Sequence, residues 1–188
     1  MLNSFCDNLF FHTYLSQQFN PAMLTPQQFI QHYSLQPHPE GGWYCQTYRS
    51  EGIIPAAALP SSFGGDRLFS TAIYFLLEEG NFSAFHRIKS DECWHFYAGQ
   101  PLHIYVIRKD GILETVILGN DSTRGELFQY VVPAGCWFAS RPAPGSAFAF
   151  VGCTVSPGFD FADFELANAT ALSIEYPAHE KIIRSLCR

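Results

Sequence analysis

From Arg67 onward the hydrophobic residues come in short runs, some continuous and some alternating, cut by Gly, Asp and Pro. "LFSTAIYFLLE", "NFSAFHRI", "ECWHFYA" and "LHIYVIR" read as successive strands. "KDG" at 109–111 is a tight-turn signal that leads into "ILETVILG". "ELFQYVVPAG", "CWFAS" and "AFAFVGCTV" complete the run. Many short strands at this spacing predict an all-β sandwich or barrel. Trp43–Arg49 reads as one more strand ahead of them, and "GIIPAAALPSSFGGD" as a connecting loop.

The period changes in "LTPQQFIQHYSL". Thr25 is a good N-cap, Pro26 suits the first helical position, and Gln28 completes a capping box. Phe29, Ile30 and Tyr33 then share one face, which predicts a short amphipathic helix before the barrel. "PAHEKIIRSL" reads as a closing C-terminal helix. Residues 1–20 are aromatic-rich but irregular and form an N-terminal extension. With no repeat, low-complexity tract or linker, residues 21–188 read as a single domain.

Composition narrows the classes. In 188 residues, 47% are hydrophobic and 16% aromatic, while charged residues reach only 15%, so the chain can bury a core. Its net charge is −6 and its 11 Lys and Arg are scattered, which argues against nucleic-acid or anionic-membrane partners. None of the six cysteines forms a CxxC pair, and the first residues lack the basic start of a signal peptide. Reduced thiols in the cytoplasm are the expectation. No apolar run is long enough to span a bilayer.

Candidate chemistry concentrates in "GNFSAFHRIKSDECWHFYAG", residues 80–99. Strand alternation puts His86 and Ile88 on one face and Arg87 on the other. Beyond the turn, Glu92, Trp94 and Phe96 share a face, opposite Cys93, His95 and Tyr97. If the two strands pair, His86 and Glu92 point into the same barrel, a base and an acid among aromatic rings.

The pattern G-x5-H-x-I-x3-E-x6-G resembles the first cupin motif, and "GELFQYVVPAGCWF" resembles the second. "LQPHPEGGWYCQTYRS", "STAIYFLL", "FHRIKSDECWHFYAGQPL", "VVPAGCWFA" and "VGCTVSPGFDFADFELA" extend the resemblance to a cupin family filed as a domain of unknown function. It implies an all-β double-stranded β-helix, the cupin jelly roll, similar in fold to seed-storage proteins and dTDP-sugar epimerases. It also implies a homodimer.

Two of the four cupin metal ligands are replaced: Ile88 and Phe138 stand at positions of the motif histidines, and neither donates a lone pair. No cofactor is expected on that ground. The competing expectation is a divalent metal held by His86, Glu92 and Cys136, a donor set that suits zinc. A metal-free site gives the pair another role. His86 would be a base, oriented by Glu92, with Tyr74 as the acid. Trp94, Phe96, Gln129, Cys136 and Phe138 are the expected ligand-binding residues.

Bland readings stand beside these. "HPEGG", with His38 and Glu40, is either a cavity-mouth loop or a turn set by its glycines. "SPGFDFADFELA" reads as a packing loop over the barrel mouth rather than a calcium site. Three functions remain open. One is a small-molecule-binding cupin acting on a polar or sugar-like ligand as a metal-independent isomerase or epimerase. The others are a metal-dependent cupin enzyme and a non-catalytic, dimerising storage-like protein.

Overall fold

The computed structural model describes residues 24–188, and the extension expected at residues 1–20 lies outside the described residues. The capping box forms as its sequence demands. Thr25 Oγ1 accepts from the Gln28 amide at 3.3 Å, and Gln28 Oε1 accepts from the Thr25 amide at 2.8 Å. They start helix α1, Pro26–His32.

Thirteen strands follow: β1 Gln36–Pro37, β2 Trp43–Arg49, β3 Ile53–Ile54, β4 Arg67–Leu68, β5 Thr71–Glu78, β6 Ser83–Arg87, β7 Asp91–Gly99, β8 Leu102–Ile107, β9 Leu113–Leu118, β10 Gln129–Val132, β11 Trp137–Pro142, β12 Phe148–Ser156 and β13 Glu165–Leu166. Helices α2, Ala169–Glu175, and α3, Glu180–Ser185, close the chain. The expected double-stranded β-helix is the fold. A six-stranded sheet runs β1-β2-β5-β12-β7-β10 and a five-stranded sheet runs β13-β6-β11-β8-β9.

Alternation sorts each strand between layers. In β5, Phe75 and Leu77 turn inward to join Trp94, Ile104, Val106 and Phe138 between the sheets. Each of these is at most 1% exposed, and burying such a side chain contributes about 1.5–3 kcal/mol. Tyr74 and Leu76 turn outward, where α1 covers them with Phe29. On the far side, Phe85, Tyr105 and Trp137 of the five-stranded sheet carry Leu172 of α2 and Ile183 of α3.

Two elements differ from the sequence reading. The loop after β2 is tied at its ends, because Ile53 pairs with Leu68 and Ile54 with Arg67. The C-terminal helix is preceded by another, α2, which Asn168 caps by accepting from the Ala171 amide at 3.0 Å. Among the described residues no helix is long and apolar enough to cross a membrane.

Candidate functional site

A cavity of about 250 Å³ lies at the end of the sandwich where β5 and β7 begin and β12 finishes. Apolar walls come from Tyr44, Ile73, Phe75, Ile88 and Val155, with Phe159 and Phe161 at the loop side. The chemistry comes from His38, Glu40, His86 and Glu92.

The "HPEGG" turn delivers two of these four. His38 N–H donates to the Gly42 carbonyl and Gly41 N–H to the His38 carbonyl, each at 3.0 Å. This closure requires positive φ at Gly41 and Gly42 (113° and 76°), which only glycine adopts without strain. The turn is pinned to β6, where the Ala84 amide donates to the Glu40 carbonyl at 2.9 Å. Glu40 is thereby held inside with its side chain buried.

His86 projects inward from β6. Its Nδ1 lies 2.7 Å from the Ala84 carbonyl. A carbonyl only accepts, so Nδ1 carries the proton and Nε2 presents its lone pair. That Nε2 is 3.1 Å from Glu40 Oε2, while Glu40 Oε1 accepts from the Ser83 hydroxyl at 2.8 Å. Burial pushes the His86 imidazolium down and the Glu40 carboxyl up. Burial thus disfavours charge on both partners of this 3.1 Å contact. His38 Nδ1 accepts from the Glu40 amide at 3.4 Å, which leaves its proton on Nε2. Burial lowers the His38 value, and nearby Glu40 offsets part of the effect.

Glu92 lines the same cavity from β7. Burial, above all, pushes its carboxyl up to about 7; nearby Glu40 adds to the rise, and His86 and a hydrogen bond from Cys153 oppose it. The Cys153 thiol, buried and beside Glu92, is pushed well above its usual range and stays protonated. The cavity thus holds two buried carboxyl groups and two imidazoles, and one of the carboxyls, Glu92, titrates near neutrality.

The other expected site residues lie elsewhere. Tyr74 packs on the outer face of the six-stranded sheet against Tyr33 and Phe150, with ring centroids 4.9 and 5.2 Å away. It shares no cavity with His86, because its neighbours Ile73 and Phe75 take the inward positions. Trp94, Phe96 and Cys136 belong to the core between the sheets, and Gln129 is exposed on edge strand β10. Phe138 touches the site from behind: its ring centroid is 4.1 Å from that of His86.

The donor set does not fit a cupin metal. Ile88 lines the cavity as hydrocarbon, Phe138 covers a face of His86, and Cys136 is not part of the cavity wall. Among the described residues no group of three or more His, Cys, Asp or Glu is arranged to hold a metal ion. Asp163, in the acidic loop, is spent on a buried ion pair. It accepts from Arg67 Nε and Nη2 at 2.6 Å each and lies 3.2 Å from Lys89 Nζ. That clamp holds the loop bearing Phe159 and Phe161, so the loop does form an aromatic rim, with Phe161 stacked 6.3 Å from His38.

Residues 27–167 match the family described as Cupin superfamily (DUF985). The chain belongs to this cupin family. A protein from Shewanella oneidensis is 44% identical, covers 88% of this cupin and 99% of its own chain, and superposes with a TM-score of 0.78. A hypothetical protein from Leishmania major is 36% identical over 87% of this cupin and 99% of its own chain, with a TM-score of 0.81. An uncharacterized protein of Saccharomyces cerevisiae is 31% identical over 146 residues, which is 73% of this cupin and 72% of the yeast protein. These relatives share the fold and leave the chemistry to be argued from the cavity itself.

Proposed function

We propose that this cupin binds a small polar, sugar-like or carbonyl-bearing molecule in the cavity and catalyses a metal-independent isomerisation or epimerisation. The observation that carries this reading is the presence of Glu40, His86 and Glu92 together in a hollow of about 250 Å³ with aromatic walls, where Glu40 contacts His86 at 3.1 Å. Glu92 is the proton-exchanging group. A carboxyl at about 7 is populated in both forms near neutrality, the condition for efficient proton transfer. Ionised Glu92 takes a proton from the carbon beside the ligand's carbonyl, and the electron pair moves onto the oxygen as an enolate. The His38 Nε2–H supplies a hydrogen bond to that oxygen. Return of the proton to the opposite face of that carbon gives the epimer, and its return to the former carbonyl carbon, as the neighbouring hydroxyl becomes the new carbonyl, gives the isomer, with no net change in redox state. His86, with Nε2 occupied by Glu40, is a positioning residue that sets the charge around Glu92.

The test is a thermal-shift panel of free sugars, nucleotide sugars and small keto acids, followed by NMR of each binder in D₂O. Expected is a binder whose carbon-bound proton exchanges with solvent, with exchange lost in Glu92→Gln at ligand concentrations that saturate the variant. A binder that exchanges equally fast with the variant would overturn the assignment, and a panel without binders would overturn the ligand reading.

A homodimer is part of the same proposal. Tyr97, Phe128 and Val131 on and beside edge strand β10 are 45–60% exposed, a surface suited to a second copy. Light scattering at micromolar concentration tests it, and a monomeric mass overturns it. Five free cysteines among the described residues support a reducing, cytoplasmic location.

A further inference from the structure

The cavity has a one-sided charge inventory. Among the described residues no lysine or arginine lines it. Its two histidines are both held below their usual range by burial, which disfavours their charged forms. Among the described residues its carboxylic acids are Glu40 and Glu92. Glu40 is saturated by Ser83 and His86. Glu92 is not: it is 8% exposed, faces the cavity, and has the Cys153 thiol as donor but no cation in contact. Tyr44, Phe75 and Phe161 share the cavity wall with it. A phosphate or carboxylate entering here would meet two acids and no cationic donor, with a heavy desolvation penalty. A cation would meet a carboxylate and aromatic rings, the two surfaces that stabilise positive charge in a dry site.

We propose that the ligand carries a cationic group, an ammonium or amidinium, seated between Glu92 and the aromatic wall. This rests on the reading of the cavity as a small-molecule site and narrows its ligand class. The cation also serves the chemistry proposed above: it drives Glu92 into its ionised form, which is the form that accepts a proton. An ammonium on the carbon next to the carbonyl would acidify the C–H that Glu92 takes. The aromatic rim at Phe161 then screens the ion pair from bulk water.

The experiment uses two sets of matched probes on the full chain: glucosamine, glucose and glucuronate, and ethanolamine, ethylene glycol and glycolate. Binding is read by calorimetry at pH 7, and the same titrations are run on Glu92→Gln after its melting curve confirms folding. Expected is an amine that binds about tenfold tighter than its neutral partner, with no binding by the acid. In Glu92→Gln that preference falls to about onefold. An acid or neutral probe that binds as tightly as the amine overturns the cation assignment alone. Silence from all six probes overturns it together with the cavity reading. An amine preference that survives in Glu92→Gln removes Glu92 as the seat and overturns the proposal as stated.

Discussion

His86 Nε2 lies 3.1 Å from Glu40 Oε2, and the opposite ring nitrogen is committed to the Ala84 carbonyl at 2.7 Å. The imidazole is held at both ends, and its tautomer is fixed by a backbone group that cannot donate.

If the pair rests neutral, a carboxamide can replace the acid. Glu40→Gln keeps a donor toward Nε2 and an acceptor for Ser83. It is expected to cost under about 1 kcal/mol in urea unfolding. Glu40→Ala strands Nε2 and the Ser83 hydroxyl and is expected to cost about 1–3 kcal/mol. An ionised pair would instead make both variants costly, since each would leave a buried imidazolium unpaired.

Glu92 gives a pH signature. Its folded value, about 7, lies above the ordinary 4.5, so the folded protein holds a proton that the unfolded chain has released between those values. Stability from this group is therefore lost as pH rises through that window, by about 3 kcal/mol in total. His38 and His86 act oppositely: their lowered values make them cost stability as pH falls below 6.5. Glu92→Gln removes only the first contribution. The variant should match the wild type near pH 4 and gain on it toward pH 8 in parallel urea titrations.

The clamp under the aromatic rim is a structural prediction. Arg67 and Asp163 are both buried, with two hydrogen bonds of 2.6 Å between them. Asp163→Ala leaves the guanidinium buried and unpaired and is expected to cost about 3–5 kcal/mol. Chemical denaturation measures it, and a loss below about 1 kcal/mol would show that the loop relaxes around the gap.

Phe161 separates binding from folding. It is 55% exposed and stacked on His38. Phe161→Ala should change stability by less than about 0.5 kcal/mol and weaken any cavity ligand by several-fold. Equal affinity in the variant would remove the rim from the binding surface.

How far the chain revealed itself follows from which rules constrain which residues. Alternation placed His86 with Ile88 and Glu92 with Trp94 correctly, because a half-buried strand has only two faces. The same rule applied to β5 would have turned Tyr74 outward once Phe75 was set inward. Glu40 was not legible as a partner of His86. It sits in a Gly-Gly turn, where side-chain direction follows from positive φ rather than from any period, and only the "HPEGG" spacing hinted at a cavity mouth. Trp94 and Cys136 share the inward face with the site but lie deeper in the sandwich, a depth that face assignment cannot give. Helix α2 escaped because, unlike α1, it carries no capping box and no proline to mark its start.

The four polar groups of the hollow arrive from three separate places: the glycine turn, β6 and β7, with Cys153 added from β12. No single hairpin assembles them, so a half-zipped sandwich contains no pocket at all. Occupancy by a small molecule is thus a gauge of final closure, and a bound molecule should retard the first separation of the sheets more than the later unravelling of any strand pair.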